Sequence, residues 1–267
     1  MNTDGSMAGQ LTWEQTKSLL IDAGIAAECL AGVDMPQLAK LRGAGLDCAN
    51  LERANLHGAY LGRAHLHGAN LYGADLHGAD LHGADLNDAN LHGADLHGAN
   101  LHGADLYGAD LRHANLNHVD LNDAYLDQAY LDYAQLRGAG LANANLERAN
   151  LHGADLSDAN LAGAYLANTI LHGANLHYTA LAGAWLRGAY LANATLNWAS
   201  HDLIAEILRQ AADNDVEKLQ AAGLVLIARD WCWRDFIRLR HPLTKWALGV
   251  LDAWHDRPEV EVDSGAG

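Results

Sequence analysis

From Leu41 to Leu196 a leucine returns at every fifth position, thirty-two times in succession. Two residues before each leucine stands an alanine, with Val119, Thr169 and Thr179 the exceptions. The other three positions of each unit are mostly polar or small, as in the run from Leu71 to Asp110, LYGADLHGADLHGADLNDANLHGADLHGANLHGADLYGAD. Neither regular element accepts this pattern. Residues five apart on an α-helix are rotated by roughly 140°, so the leucines would spiral around it. In a flat strand an odd period sends successive leucines to opposite faces. The period works only if each unit bends the chain and returns the next leucine to the same interior. The chain must coil, with Ala and Leu inward and three residues outward.

The outward residues suit such a coil. The position before each leucine is usually Asp or Asn, whose side chains bond nearby backbone and favour turns. The second position after it is very often Gly, which tolerates a corner conformation. The expectation is an all-β solenoid, each coil stacked on the next through backbone hydrogen bonds and Leu–Leu contacts.

The unit A(D/N)LXX, as in Ala74-Asp75-Leu76-His77-Gly78, resembles the pentapeptide-repeat family from about Ala39 to Ala199. The resemblance implies a right-handed, quadrilateral parallel β-helix with twenty residues per coil. Thirty-two units then make eight coils, a rod about 38 Å long at roughly 4.8 Å per coil.

The flanks read differently, and four segments are expected: 1–38, 39–200, 201–256 and 257–267. Residues 1–10 look like a disordered tail. Thr12 and Gln15 form a capping-box pattern that opens a helix over Trp13–Leu30. Because stacked coils end in raw β-edges, this helix and the Asp34-Met35-Pro36 turn are expected to cap the N-terminal end. After Ser200 the register stops, and helices are expected over Asp202–Ala212, Val216–Arg229, Trp231–Arg240 and Leu243–Trp254. They form a C-terminal subdomain rich in tryptophan, with a disordered tail over 257–267.

Composition narrows the function. A net charge of −16 argues against direct binding to nucleic acid, which needs a basic footprint, and leaves room for a basic protein surface. Cys29, Cys48 and Cys232 show neither metal spacing nor a disulfide framework, which fits free thiols in a reducing cytoplasm. The N-terminal stretch has no apolar signal core, and no apolar run approaches membrane-spanning length. The expected location is cytoplasmic, with no membrane partner.

Three sets of outward residues are candidates for function. Ten of the sixteen histidines directly follow a leucine. With four sides, His57, His77 and His97 stack in one column and His82 and His102 in another, either as a solvated ladder or as a seat for a transition metal. Between Asp75 and Asp132 lie eleven acidic residues and a single base, Arg112. That density could mimic duplex DNA, yet Asp75, Asp80, Asp85, Asp95, Asp105 and Asp110 stand where the fold itself wants Asp or Asn. The third set departs from the repeat rule. Tyr125, Tyr130, Tyr165, Ile170, Trp185 and Tyr190 replace Asp or Asn and form one stripe across a corner. Either a protein partner or the C-terminal helices cover it.

No nucleophile or concave site accompanies the abundant His and Asp, so an enzyme is not expected, nor is a cofactor. The favoured function is a scaffold that binds another protein, with a homodimer through its C-terminal end as one form it could take. The alternative comes from the resemblance, since some family members protect DNA gyrase or topoisomerase IV from quinolones by imitating DNA. This chain lacks the projecting loops of some such relatives and carries Leu where they often use Phe. A histidine metal site is the third alternative.

Overall fold

The computed structural model describes residues 11–25, 41–195, 201–212, 215, 218 and 244–251. From Gly45 onward, the residue before each leucine forms a parallel bridge with the residue twenty positions on, from Gly45–His65 through Asn175–Thr195. One coil therefore takes four five-residue units, and the bridged residues stand in four columns along a solenoid.

A single unit shows why these residues coil. The Asp75 N–H donates to the Ala54 carbonyl of the preceding coil (2.9 Å), and the Leu76 and Gly78 N–H groups donate to Asp95 (2.7 Å) and His97 (2.9 Å) of the next. The Ala79 N–H closes the turn onto the Leu76 carbonyl at 2.9 Å. Only the His77 N–H lacks a backbone acceptor, and the Asp75 carboxylate takes it at 3.1 Å. All five donors of the unit are satisfied, which is what a mostly inward-packed backbone requires. The Asp or Asn before each leucine thus performs a specific task, accepting the N–H two residues on.

The third residue of each turn has φ near +60°, as in Gly78 (63°), the signature of a type II turn. Glycine takes that conformation freely. Elsewhere the stacked neighbours impose it on larger residues, including Arg63 (59°) and Tyr133 (56°).

Every leucine from Leu41 to Leu191 is buried, as are nearly all the alanines two residues before them. Each buried leucine contributes roughly 1.5–3 kcal/mol, and identical side chains repeat at the coil spacing, so the core is a continuous stack. Thr169 and Thr179 are buried in alanine positions, where their hydroxyls donate to the carbonyls of Leu146 (2.8 Å) and Leu156 (2.9 Å). Two of the three exceptions to the alanine rule are therefore polar groups with partners, and the third, Val119, is buried and apolar.

Helices stand at both ends. α1, Trp13–Asp22, opens with a capping box: the Gln15 N–H donates to the Thr12 hydroxyl, and the Thr12 N–H to the Gln15 side chain. It stops at Asp22, short of the expected Leu30. Gly24, at φ 98°, lets the Gly24 and Ile25 N–H groups turn back onto the Ile21 and Leu20 carbonyls, a Schellman closure. Trp13, Thr16 and Leu20 are buried. Asn55 donates its N–H to the Thr16 hydroxyl at 2.8 Å, where later coils use the carbonyl twenty-one residues back. The helix thus supplies the acceptor for this N–H.

At the other end lie α2, His201–Ala211, and α3, Thr244–Leu251, which touch each other. The Gly188 N–H donates to the buried Glu206 carboxylate at 2.9 Å, and the Gln210 amide donates to the Ala189 carbonyl. Further back, the Ala174 carbonyl accepts the N–H of Thr195, twenty-one residues on. Residue 210 stands at the same offset from Ala189, so its side chain replaces the backbone donor of an absent coil. Arg209 braces the Glu206 carboxylate at 2.6 and 2.7 Å, and that bond raises the guanidinium pKa. No described helix is long and apolar enough to cross a membrane. Expected features over 1–10, Asp34–Pro36, Trp231–Arg240 and 257–267, with Val216–Arg229 apart from Lys218, lie outside the described residues, as do Cys29 and Cys232. Cys48 is exposed and free.

Candidate protein-binding face

One column of bridged residues runs Gly45, His65, Asp85, Asp105, Tyr125, Asn145, Tyr165, Trp185. The next along the chain runs Asn50, Asn70, Asn90, Asp110, Tyr130, Asn150, Ile170, Tyr190. Both change from polar and acidic residues to bulky ones along the rod. The six bulky residues expected to form one stripe do occupy these adjacent columns, but not continuously. Asn145 and Asn150 intervene, separating Tyr125 and Tyr130 from a block of Tyr165, Ile170, Trp185 and Tyr190. All six are exposed, most of all Trp185 at 65% and Tyr190 at 60%. The Tyr165 and Trp185 rings pack with centroids 5.8 Å apart.

None of these six side chains carries an oxygen placed as Oδ1 of Asp or Asn is. They cannot close the local turn bond that Asp155 gives Ser157 (3.1 Å) or Asn160 gives Ala162 (3.1 Å). Large exposed side chains, five aromatic and one aliphatic, stand where the fold rewards a short acceptor.

The histidines form longer stacks than the two short columns expected from their spacing. His57, His77 and His97 stack at 4.9 and 5.0 Å, and His118 meets the last edge-on. A second stack runs Tyr72, His92, His113, Tyr133, His152, His172, with every centroid separation between 5.1 and 5.5 Å. His82 instead bonds Asp80 at 2.8 Å. Parallel rings such as His57 and His77, whose planes meet at 6°, direct their nitrogen lone pairs side by side rather than toward one point. Among the described residues no group of three or more His, Cys, Asp or Glu could hold a metal ion.

The acidic positions are largely tied into the rod. Asp75, Asp80, Asp85, Asp95, Asp105 and Asp110 each accept the N–H two residues on, and Asp120 belongs with them, accepting from Asn122 at 3.0 Å. Several also accept an amide from the adjoining coil, as Asp95 does from Asn115 (2.8 Å) and Asp80 from Asn100 (3.1 Å). Arg112 grips Asp110 at 2.6 and 2.8 Å. Partial burial works to raise the Asp110 carboxyl, but the bonds and charge of Arg112 outweigh it and hold the group below the usual carboxylate range. Single-residue reasoning missed these ladders and the long ring stack; writing the sequence in rows of twenty aligns them.

A family model described as pentapeptide repeats matches the chain in eight copies, over residues 49–88, 74–112, 84–123, 104–148, 120–158, 154–193 and 169–200. The chain belongs to the pentapeptide-repeat family. No curated protein is significantly similar to it. Among solved pentapeptide-repeat structures, it is similar to HetL of the cyanobacterium Nostoc sp. strain PCC 7120, described as involved in heterocyst differentiation regulation. Identity is 33%, covering 59% of this chain and 87% of HetL, with a TM-score of 0.29. Rfr23 of the cyanobacterium Cyanothece 51142 is 38% identical over 39% of this chain and 64% of its own, with a TM-score of 0.27. QnrB1, a plasmid-mediated fluoroquinolone resistance protein, is 19% identical over 61% of this chain and 93% of its own, with a TM-score of 0.33.

Proposed function

We propose that this pentapeptide-repeat chain is a non-enzymatic scaffold that binds another protein through the bulky residues of its later coils. The observation that supports this reading most is the exposure of Tyr165, Ile170, Trp185 and Tyr190 at positions where the fold favours Asp or Asn. Large rings left in water are costly unless a partner covers them, and Tyr and Trp are enriched where proteins meet. Tyr125 and Tyr130 extend the surface toward the middle of the rod. The working architecture is a right-handed, four-sided β-helix over 39–200. A capping segment within 1–38 precedes it, a helical subdomain over 201–256 and a tail over 257–267 follow it, and the cytoplasm is its setting.

The test is affinity capture from the native host with the wild-type chain and with Trp185→Ala and Tyr190→Ala. The reading expects a specific partner to be lost in both variants while the melting temperature stays within about a degree or two. Retention of that partner by both variants would count against it.

A second reading, a DNA-like protector of a type II topoisomerase, rests on the eleven acidic residues and one base between Asp75 and Asp132. It expects protection of gyrase supercoiling from a quinolone, lost when Asp120, Asp123 and Asp127 are neutralised and kept in Trp185→Ala.

A further inference from the structure

Between Tyr125 and Tyr165 lies a shallow groove of about 420 Å³. It exists because one column alternates large, small, large: Tyr125, Asn145, Tyr165. Asn145 is held down as the floor. Its side-chain Oδ1 accepts the Glu147 N–H at 3.1 Å, and its side-chain amide donates to Asp127 at 3.3 Å. The two tyrosines form the walls, and Trp185 backs Tyr165 from the far side. Asp123 and Glu147 also line the groove, and their side chains are 52% and 45% exposed.

The spacing selects an occupant. Stacked rings one coil apart on this rod stand 4.9–5.5 Å apart. Two coils therefore separate the tyrosines by about 10 Å, twice the inter-strand spacing. A flat group midway stands about 5 Å from each ring, inside the roughly 6 Å reach of a cation–π contact. The carboxylates demand a cation that donates hydrogen bonds. The cations stand back, Arg148 at 4.0 Å from Glu147 and His102 at 3.9 Å from Asp123; the nearer partner of Asp123, the Asn143 amide at 3.2 Å, is uncharged, so the groove keeps a negative field. A guanidinium is planar, permanently charged and stacks on aromatic faces while its N–H groups reach carboxylates; an ammonium has no plane to stack.

We propose that this groove seats one arginine side chain from a basic segment of a partner protein. The guanidinium lies between Tyr125 and Tyr165, with its N–H groups turned toward Asp123 and Glu147. The proposal rests on the reading that the later coils bind protein, and it specifies the chemistry of that contact.

The test uses the full chain and three short, otherwise neutral peptides carrying a central arginine, lysine or citrulline, followed by NMR. The arginine peptide is expected to shift the Asn145 side-chain amide and the Tyr125 and Tyr165 ring signals. Citrulline keeps the plane without the charge and should bind at least about tenfold more weakly, as loss of a partly desolvated cation–π contact implies. Asn145→Tyr fills the slot with a residue the same column already carries, so it should abolish the shifts; the Glu147 N–H loses its acceptor, so the melting temperature should fall slightly, with the fold retained by circular dichroism. Equal binding of citrulline or lysine, or undiminished arginine binding by Asn145→Tyr, overturns the proposal. Self-association that Asn145→Tyr removes also overturns it, in favour of a second copy as occupant. If Trp185→Ala loses the captured partner while Asn145→Tyr keeps it, the protein-binding reading stands and the arginine seat falls.

Discussion

The early and late coils share one stack of buried leucines and differ mainly outside. Asp85 and Asp105 stand in the same column as Tyr165 and Trp185, on the same backbone geometry, above the same buried leucines. The early residues are explained by the coil itself, since Asp85 accepts the Asn87 N–H (3.1 Å) and Asp105 the Tyr107 N–H (3.3 Å). The later rings perform no such task for the backbone. The comparison separates what the solenoid requires from what it carries, and it locates the carried feature in the later half.

The strongest test of this contrast is to attack what the halves share. Leu96→Asp and Leu166→Asp each bury an unpaired carboxylate in the leucine stack and should cost several kcal/mol, unfolding or aggregating the rod to a similar degree by circular dichroism. A large asymmetry between the two would break the claim of a common interior.

The late half also meets α2, so its end should be the more sensitive to a polar change. Glu206→Ala removes the acceptor of the Gly188 N–H and the partner of Arg209, and leaving these partly buried groups unsatisfied costs about 1 kcal/mol. Denaturant unfolding should show the loss, and hydrogen exchange should place it in the last coil.

On the shared column, Asp85→Ala should lose about 1 kcal/mol, because the Asn87 N–H loses its acceptor. Tyr165→Ala should change stability by less than about 0.5 kcal/mol and act on partner binding instead. If Tyr165→Ala is the more destabilising of the two, the rings are part of the fold and the contrast fails.

The smallest effect concerns Asp110. A carboxyl held below its ordinary value stabilises the fold above the unfolded-state pKa, and that contribution is lost as pH falls through the folded value. Arg112→Gln should therefore raise the Asp110 titration midpoint, read by side-chain carboxyl NMR. Any stability difference from wild type should be present at neutral pH and vanish in acid.

Much of this molecule is local and hence legible along the chain. A five-residue period, an acceptor before each leucine and a turn residue after it are needs of one unit, and each unit repeats them. The sequence therefore determined that the chain coils, which residues point inward, why Asp or Asn precedes Leu, and that a helix opens at Thr12. Gly24 marked the end of that helix as well, and the longer helix expected from the apolar pattern overlooked it. What only the tertiary structure decided depends on residues twenty or more apart. The stack from Tyr72 to His172, the Asn–Asp ladders between coils, and the break at Asn145 that leaves a groove all depend on which side chains become axial neighbours. The two ends are the extreme case. Thr16, Glu206 and Gln210 lie outside the repeat, and nothing in their immediate sequence marks them. They matter because a stack of coils leaves unpaired backbone groups at its ends, and only the folded chain brings these side chains to those groups.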